Sequence, residues 1–151
     1  MKLINIINIY DLISISTILI PIYFLFNTSF YVFSSYCIVI IIHIAIKKMT
    51  YYINYNIFKR PKKAYNCNIL NNSGDDSLKP GFPSGHMTSI SFFTNYLYFT
   101  QSNKSLYNFI FYNIPSIIMA YARFYKKCHN IPQILFGFIL GLYSSFIISF
   151  I

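Results

Sequence analysis

Long apolar segments with few charged residues constrain the fold of this chain more than any other feature of its sequence. Hydrophobic residues make up 56% of the 151 residues and charged residues only 10%, a balance far from that of ordinary soluble domains. Backbone groups in a bilayer must find their hydrogen bonds within the protein, so apolar segments of this length favour membrane helices. We therefore predict a single all-α domain over residues 1–151, an integral membrane helical bundle.

Five segments have the length and polarity expected of transmembrane helices. No small-residue cleavage site follows the first, so we interpret it as a retained helix from about Leu12 and not as a signal peptide. In the fifth, Gly137 and Gly141 are four residues apart, a spacing typical of close helix packing. The predicted helices are residues 4–26, 30–46, 84–99, 106–125 and 131–151.

The polar connections of such a bundle bring distant residues to one membrane face. Residues 47–83 form the only extensive polar region, and residues 126–130 form a short polar connection. With five spans, both fall on the same side, and we expect the longer one to be the active-site loop region. The residues that can converge there are Arg60, His86, Arg123 and His129.

The sequence Pro83-Ser84-Gly85-His86 ends the polar loop and opens an apolar helix. Free N–H groups and the positive end of the helix dipole favour an anion at such a position. Ser84 suits the N-cap, Gly85 permits close approach of a ligand, and His86 can transfer a proton near neutral pH. Arginine presents a planar fork to phosphate oxygens, so these residues with the two arginines favour a phosphate site.

The net charge of the chain and the chemistry of its histidines limit the partners and cofactors that it can be expected to bind. The net charge of +9 suits anionic lipid headgroups or phosphorylated substrates, and membrane embedding argues against nucleic acid. A histidine can attack phosphorus, and a second can protonate the leaving oxygen. This chemistry requires no metal or other cofactor. The only acids are Asp11, Asp75 and Asp76, so we predict no carboxylate-rich metal site.

Three short motifs occur in order along the chain, each at a helix end. Arg60-Pro61 is followed by Pro83-Ser84-Gly85-His86, and then by Arg123 with His129 after five intervening residues. With these motifs, residues 30–151 resemble the type 2 phosphatidic acid phosphatase and haloperoxidase superfamily, in its membrane lipid phosphatase branch. The family core usually has six membrane helices, so the resemblance implies a reduced form with about five.

The resemblance also implies a role for each motif residue. His129 would be the nucleophile that forms a phosphohistidine, and His86 the general acid for the leaving group. Arg60 and Arg123 would hold the phosphoryl oxygens. The residues implied to join them at the substrate phosphate are Ser84 and the backbone N–H of Gly85.

The chain departs from the family pattern at three positions. The lysine expected seven residues before Arg60 is Ile53, and the serine expected before Arg123 is Ala122. Gln133 replaces the aspartate that orients the nucleophilic histidine; its amide oxygen can accept the ring N–H but carries no full charge. The candidates for supplying the missing charge to the substrate phosphate are Lys59, Lys62 and Lys63.

The function predicted from these features is a metal-independent lipid phosphatase. Its substrate would be a phosphomonoester or diphosphate of a lipid in the bilayer, either phosphatidate-like or a polyprenyl diphosphate. Gln133 resembles the dolichyl-diphosphatase branch and favours the latter. The alternative is a catalytically inactive relative that binds lipid headgroups or serves as a structural membrane protein. The particular lipid and the oligomeric state are left open.

Two features bear on the orientation of the active face. Most positive charges lie on it, which by the positive-inside rule would place it in the cytosol. The resemblance instead implies a lumenal or extracytoplasmic site, and this is the orientation we expect for the multi-pass protein. Cys67 and Cys128 lie in loops on that face, where a disulfide is possible. We nevertheless expect free thiols.

Overall fold

The computed structural model describes residues 9–27, 30–53, 56–68 and 74–151. Within these ranges the chain is all-α: it forms five α-helices and a single 3-10 turn, Asn56–Phe58, and no β-strand. Residues 4–8 of the first predicted helix, and residues 28–29 of the connection between the first two predicted helices, lie outside the described residues. The helices are α1 (Ile9–Asn27), α2 (Phe30–Tyr52), α3 (Gly85–Phe99), α4 (Leu106–Tyr125) and α5 (Ile131–Ile148).

Three of the described helices, α1, α2 and α5, are long and apolar enough to cross a membrane by length and composition. The 15 residues of α3 extend about 22 Å at 1.5 Å per residue, less than a hydrocarbon core of about 30 Å. The other helices enclose α3. Few of its polar groups therefore face lipid, although the helix is short. The architecture is a membrane helical bundle, as the sequence predicts.

Helix bounds follow the prediction closely except in α2. This helix continues to Tyr52, past its predicted end at residue 46. No proline or glycine occurs between the start of α2 at Phe30 and Pro61. Thr50 also donates its hydroxyl to the carbonyl of Ile46 at 2.9 Å, within the added turns.

The packing of α5 on α3 depends on the two glycines of α5. A Cβ on Gly137 would lie 2.6 Å from the carbonyl oxygen of Ser84, and one on Gly141 would lie 2.5 Å from that of Thr88. Both distances are too short for a carbon–oxygen contact, so only glycine permits this approach. The close packing predicted from the four-residue spacing is confirmed.

Polar side chains of α3 pair with α4 inside the bundle. Asn95 and Asn113 exchange amide hydrogen bonds of 3.2 and 3.0 Å, and the hydroxyls of Thr94 and Ser116 are 3.0 Å apart. Such pairs stabilise helix association in a bilayer, where the alternative is an unsatisfied polar group. The polar face of α3 therefore meets protein and not lipid.

A disulfide joins Cys67 of the polar loop to Cys128 of the turn between α4 and α5. The expectation of free thiols was wrong for this pair, and Cys37 alone remains free among the described cysteines. The two Cα atoms are 5.4 Å apart, within the range that a disulfide requires. Arg123 donates to the backbone carbonyl of Cys67, which fixes the loop beside the end of α4.

Candidate active site

The motif residues meet at one end of the bundle, where α3 begins and α4 ends. Arg60, Arg123 and His129 are only 8%, 1% and 2% exposed. The charges of both arginines act on His129 and on His86. The structure thus brings together all four side chains, although as many as 69 residues separate them in the chain (129 − 60).

The ring of His129 is held in one tautomer by two acceptors. Its Nδ1 lies 2.9 Å from the carbonyl oxygen of Gly81 and 3.1 Å from Oε1 of Gln133. Carbonyl and amide oxygens only accept, so in the neutral ring Nδ1 carries the hydrogen and donates it. The lone pair of the imidazole is therefore on Nε2.

The orientation of the Gln133 amide is fixed independently of the histidine. Its Nε2 donates to the carbonyl oxygens of Ile57 and Lys59 at 2.8 and 2.7 Å. The oxygen therefore faces His129, and it also accepts the N–H of Asn130 at 3.3 Å. A Cβ on Gly81 would lie 2.6 Å from this oxygen, so a glycine is required where the loop passes the glutamine.

Burial and neighbouring charge keep His129 neutral. Burial lowers the pKa of His129 well below its ordinary value, and the positive charges of Arg123, Lys47 and Arg60 lower it further. The hydrogen bond to Gln133 opposes this shift but does not cancel it. At neutral pH the ring is unprotonated, so the Nε2 lone pair is available for attack on an electrophile.

Each arginine is anchored through its outer nitrogens. Arg123 donates to the hydroxyl of Ser14 at 3.0 Å and to the carbonyl of Cys67. Arg60 donates to Oδ1 of Asn68 at 3.2 Å and lies 3.2 Å from a carboxylate oxygen of Asp76. Rigid anchoring of this kind holds the guanidinium planes in a fixed position for an anion.

Several buried polar atoms of this cluster have no hydrogen-bond partner in the described chain. Ser84 occupies the N-cap of α3, as predicted, but its hydroxyl makes no cap hydrogen bond. An unsatisfied buried donor costs roughly 1–3 kcal/mol, so these atoms together suit an anion that accepts from them. They are Ser84 Oγ, His86 Nε2, Arg60 Nε and Arg123 Nε, besides Arg60 Nη1, which makes no hydrogen bond but forms the ion pair with Asp76.

A protein-family model described as the PAP2 superfamily matches residues 24–150. The chain belongs to the PAP2 superfamily. PAP2 proteins are phosphatases, so membership supports a hydrolase of phosphoric esters in general. The match confirms the resemblance to the superfamily. The assignment of this chain to the lipid phosphatase branch and its likeness to dolichyl diphosphatases stay predictions. The chain has no significant match among curated proteins or solved structures.

Asp76 is one residue of this PAP2 site that the sequence did not reveal. It is fully buried and accepts the N–H of Cys67 at 2.8 Å, besides pairing with Arg60 and with Lys79 at 2.8 Å. In the sequence it ends a turn-rich loop tip, where acids are usually solvated. Only the scarcity of acids in the chain marks it out.

The lysines predicted to supply a further charge to the PAP2 site are differently placed. Lys63 is exposed on the polar loop, and Lys59 is half-buried and reaches Gln133 through its backbone carbonyl. Ile53 is exposed just after α2, outside the buried cluster. The proposed contacts of Lys59 and Lys63 with a phosphate stay predictions.

Lys47, which the sequence did not single out, interacts electrostatically with both catalytic histidine candidates.

Proposed function

We propose that this PAP2 protein is a membrane-embedded lipid phosphatase that acts through a phosphohistidine on His129 and needs no metal ion. The observation that carries the proposal is the neutral His129 ring beside buried donors that lack partners on Ser84, Arg60 and Arg123. A phosphoryl group has three equatorial oxygens that such donors can hold.

In the first step, Nε2 of His129 attacks phosphorus and the bond from phosphorus to the lipid oxygen breaks. The departing oxygen takes a proton from Nε2 of His86, so the lipid leaves as an alcohol or a monophosphate. The negative charge of the bound phosphate favours protonation of His86 before this step. Arg60 and Arg123 stabilise the charge on the transferring oxygens.

In the second step, neutral His86 accepts a proton from a water molecule, and the resulting hydroxide attacks phosphorus. The nitrogen–phosphorus bond breaks, which returns its electron pair to His129 and releases inorganic phosphate. While phosphorylated, His129 carries positive charge, which the oxygens of Gly81 and Gln133 stabilise as dipoles. They do so less strongly than a carboxylate.

A lipid substrate is supported by an apolar cavity of about 580 Å³ between α1, α3 and α4. Each of these helices also carries at least one site residue, namely Ser14 in α1, His86 in α3 and Arg123 in α4. An acyl or prenyl tail lying in this cavity would leave its phosphate at the polar end of the same helices. The substrate is a phosphatidate-like monoester or a polyprenyl diphosphate.

The disulfide supports the placement of the active face of the multi-pass protein in the lumen or outside the cell. Disulfides persist in oxidising compartments and are rare in the cytosol. The opposing positive-inside argument weakens because three of the positive charges on this face form ion pairs within the protein. Lys126 pairs with Asp11, and Lys79 and Arg60 pair with Asp76.

An inactive headgroup-binding protein is the second candidate, and Gln133 is the observation that favours it. Without a carboxylate beside His129, the developing imidazolium is less stabilised. Such a protein would bind phosphate at the same donors without turnover. Phosphate binding without phosphate release from either lipid class would establish this alternative.

The decisive experiment compares two histidine variants on two kinds of substrate. The purified protein in detergent, with EDTA present, should release phosphate from phosphatidate or a polyprenyl diphosphate, and His129→Gln should abolish release. His86→Gln should still form the phosphoenzyme from p-nitrophenyl phosphate, whose leaving group needs no proton, and should then accumulate it. Full activity of His129→Gln, or loss of wild-type activity with EDTA, would sink the mechanism.

A further inference from the structure

The last turns of α2 present one face to the loop that leads into α3. His43, Lys47 and Thr50 are spaced four and three residues apart, which places them on the same side of the helix. His43 Nε2 lies 3.2 Å from the carbonyl oxygen of Pro83, and Thr50 donates its hydroxyl to that of Phe82 at 3.3 Å. Lys47 therefore lies between two direct contacts with the loop.

This position brings the Lys47 ammonium within electrostatic range of the buried cluster. Lys47 is half-buried and interacts electrostatically with both arginines, Arg60 and Arg123. It also acts on both histidines, His86 and His129. The neighbouring Lys48 is exposed, so only Lys47 of the two adjacent lysines is partly shielded from solvent.

Every acid of the chain is engaged away from Lys47. Asp11 pairs with Lys126, and Asp76 pairs with Arg60 and Lys79. Asp75 accepts the backbone N–H of Ser77 at 2.8 Å. In the described part of the chain, Lys47 forms no ion pair and has two arginines as its charged neighbours. Such a concentration of like charge at a buried site is unfavourable unless an anion binds among them.

The geometry points to Lys47 as a further phosphate-binding residue, a role that rests on the proposed function. Its ammonium supplies a third positive charge to the phosphoryl oxygens, next to the guanidinium groups of Arg60 and Arg123. Lysine suits this role as a point charge that can approach from a direction the planar forks do not occupy.

The test measures equilibrium binding of inorganic phosphate to the full chain in detergent, by isothermal titration calorimetry. Lys47→Met should raise the dissociation constant by about tenfold or more, the usual cost of losing a charge-assisted contact. Lys47→Arg, which keeps the charge, should recover most of the affinity. Lys48→Met is the matched control and should remain within about twofold of the wild type.

A dissociation constant of Lys47→Met equal to that of the wild type would overturn the assignment, and so would equal weakening in Lys47→Arg. If Lys47→Met does not give a monodisperse protein, Lys47→Gln replaces it with the same expectation. Because the readout is binding, it is separate from turnover. Wild-type protein that binds phosphate through Lys47 but releases none from lipids would contradict the proposed function alone.

Discussion

At the scale of single residues, Gln133 is better understood from its own partners than from the aspartate it replaces. Its amide donates to two loop carbonyls and accepts from His129 and from the backbone of Asn130. A carboxylate cannot donate, so it would face the carbonyl oxygens of Ile57 and Lys59 without a hydrogen between them. The glutamine therefore links the polar loop to the start of α5 while it orients the histidine.

Restoring a negative charge at position 133 should lower both the stability of the folded protein and its rate of phosphate release. Gln133→Glu keeps the shape of the side chain but removes both donated bonds, and each unsatisfied buried group costs roughly 1–3 kcal/mol. We expect a lower melting temperature in detergent and slower phosphate release. Gln133→Met, which lacks donor and acceptor alike, is the control for shape. A Gln133→Glu variant with unchanged melting and faster turnover would contradict this account.

The pKa of His129 makes stability depend on pH in a defined direction. Because the pKa of His129 in the folded state is lowered below its unfolded value of about 6.5, the unfolded chain binds this proton more readily. The contribution of the neutral His129 ring to the free energy of unfolding is complete above about pH 6.5. It is lost as pH falls toward the pKa of His129 in the folded state, by at most about 1.4 kcal/mol per pH unit.

The check compares melting temperatures of the wild type and of His129→Asn at pH 7.5 and 5.5. The other titrating groups are the same in both proteins, so the difference isolates His129. We expect the melting temperature of the wild type to fall more on acidification. Parallel decreases in the two proteins would show that His129 is not held neutral by the fold.

At the scale of helices, the contact of α5 with α3 connects packing to the site. Gly137 faces the backbone of Ser84, the residue whose buried hydroxyl has no hydrogen-bond partner in the described chain, whereas Gly141 faces Thr88 and Phe92 further along α3. The N–H of Ser84 also donates to the carbonyl oxygen of Gln133 at 3.0 Å. The position of the α3 N-terminus is therefore set by α5.

Alanine at the two glycines should separate stability from activity. Both substitutions force the helices apart, at a cost of roughly 1–3 kcal/mol for overpacking. Only Gly137→Ala displaces Ser84, so we expect it to lower phosphate release more than Gly141→Ala at a similar loss of melting temperature. Ile139→Ala, on an exposed face of α5, is the control. Equal effects of both glycine variants on activity would argue against this coupling.

The sequence predicted those features of the fold that depend on residues close together in the chain. The bounds of α4, the start of α3 after Ser84 and the close approach at Gly137 all follow from spacing, caps and side-chain size. The convergence of Arg60 with His129 followed from counting spans. The disulfide, the burial of Asp76 and the place of Lys47 depend on how the polar loop folds over the bundle, and no periodicity encodes those contacts.

At the scale of the whole molecule, the disulfide and the ion pairs make the polar face one connected unit. The Cys67–Cys128 bond joins the loop that carries Arg60 to the turn that carries His129. Lys126 in the same turn pairs with Asp11 of α1. A face built this way is suited to an oxidising compartment, where the bond is stable.

Limited proteolysis of sealed vesicles with the cytosolic side outward tests this orientation with two exposed sites in one chain. Lys63 is exposed on the active-face loop, and Lys104 is exposed in the connection between α3 and α4, at the other end of the bundle. We expect trypsin to cut after Lys104 in intact vesicles and after Lys63 only once detergent opens them. Lys104→Gln should abolish the first cut and confirm its assignment. Cleavage after Lys63 in intact vesicles, with Lys104 protected, would place the active face in the cytosol, where the charge distribution alone would put it.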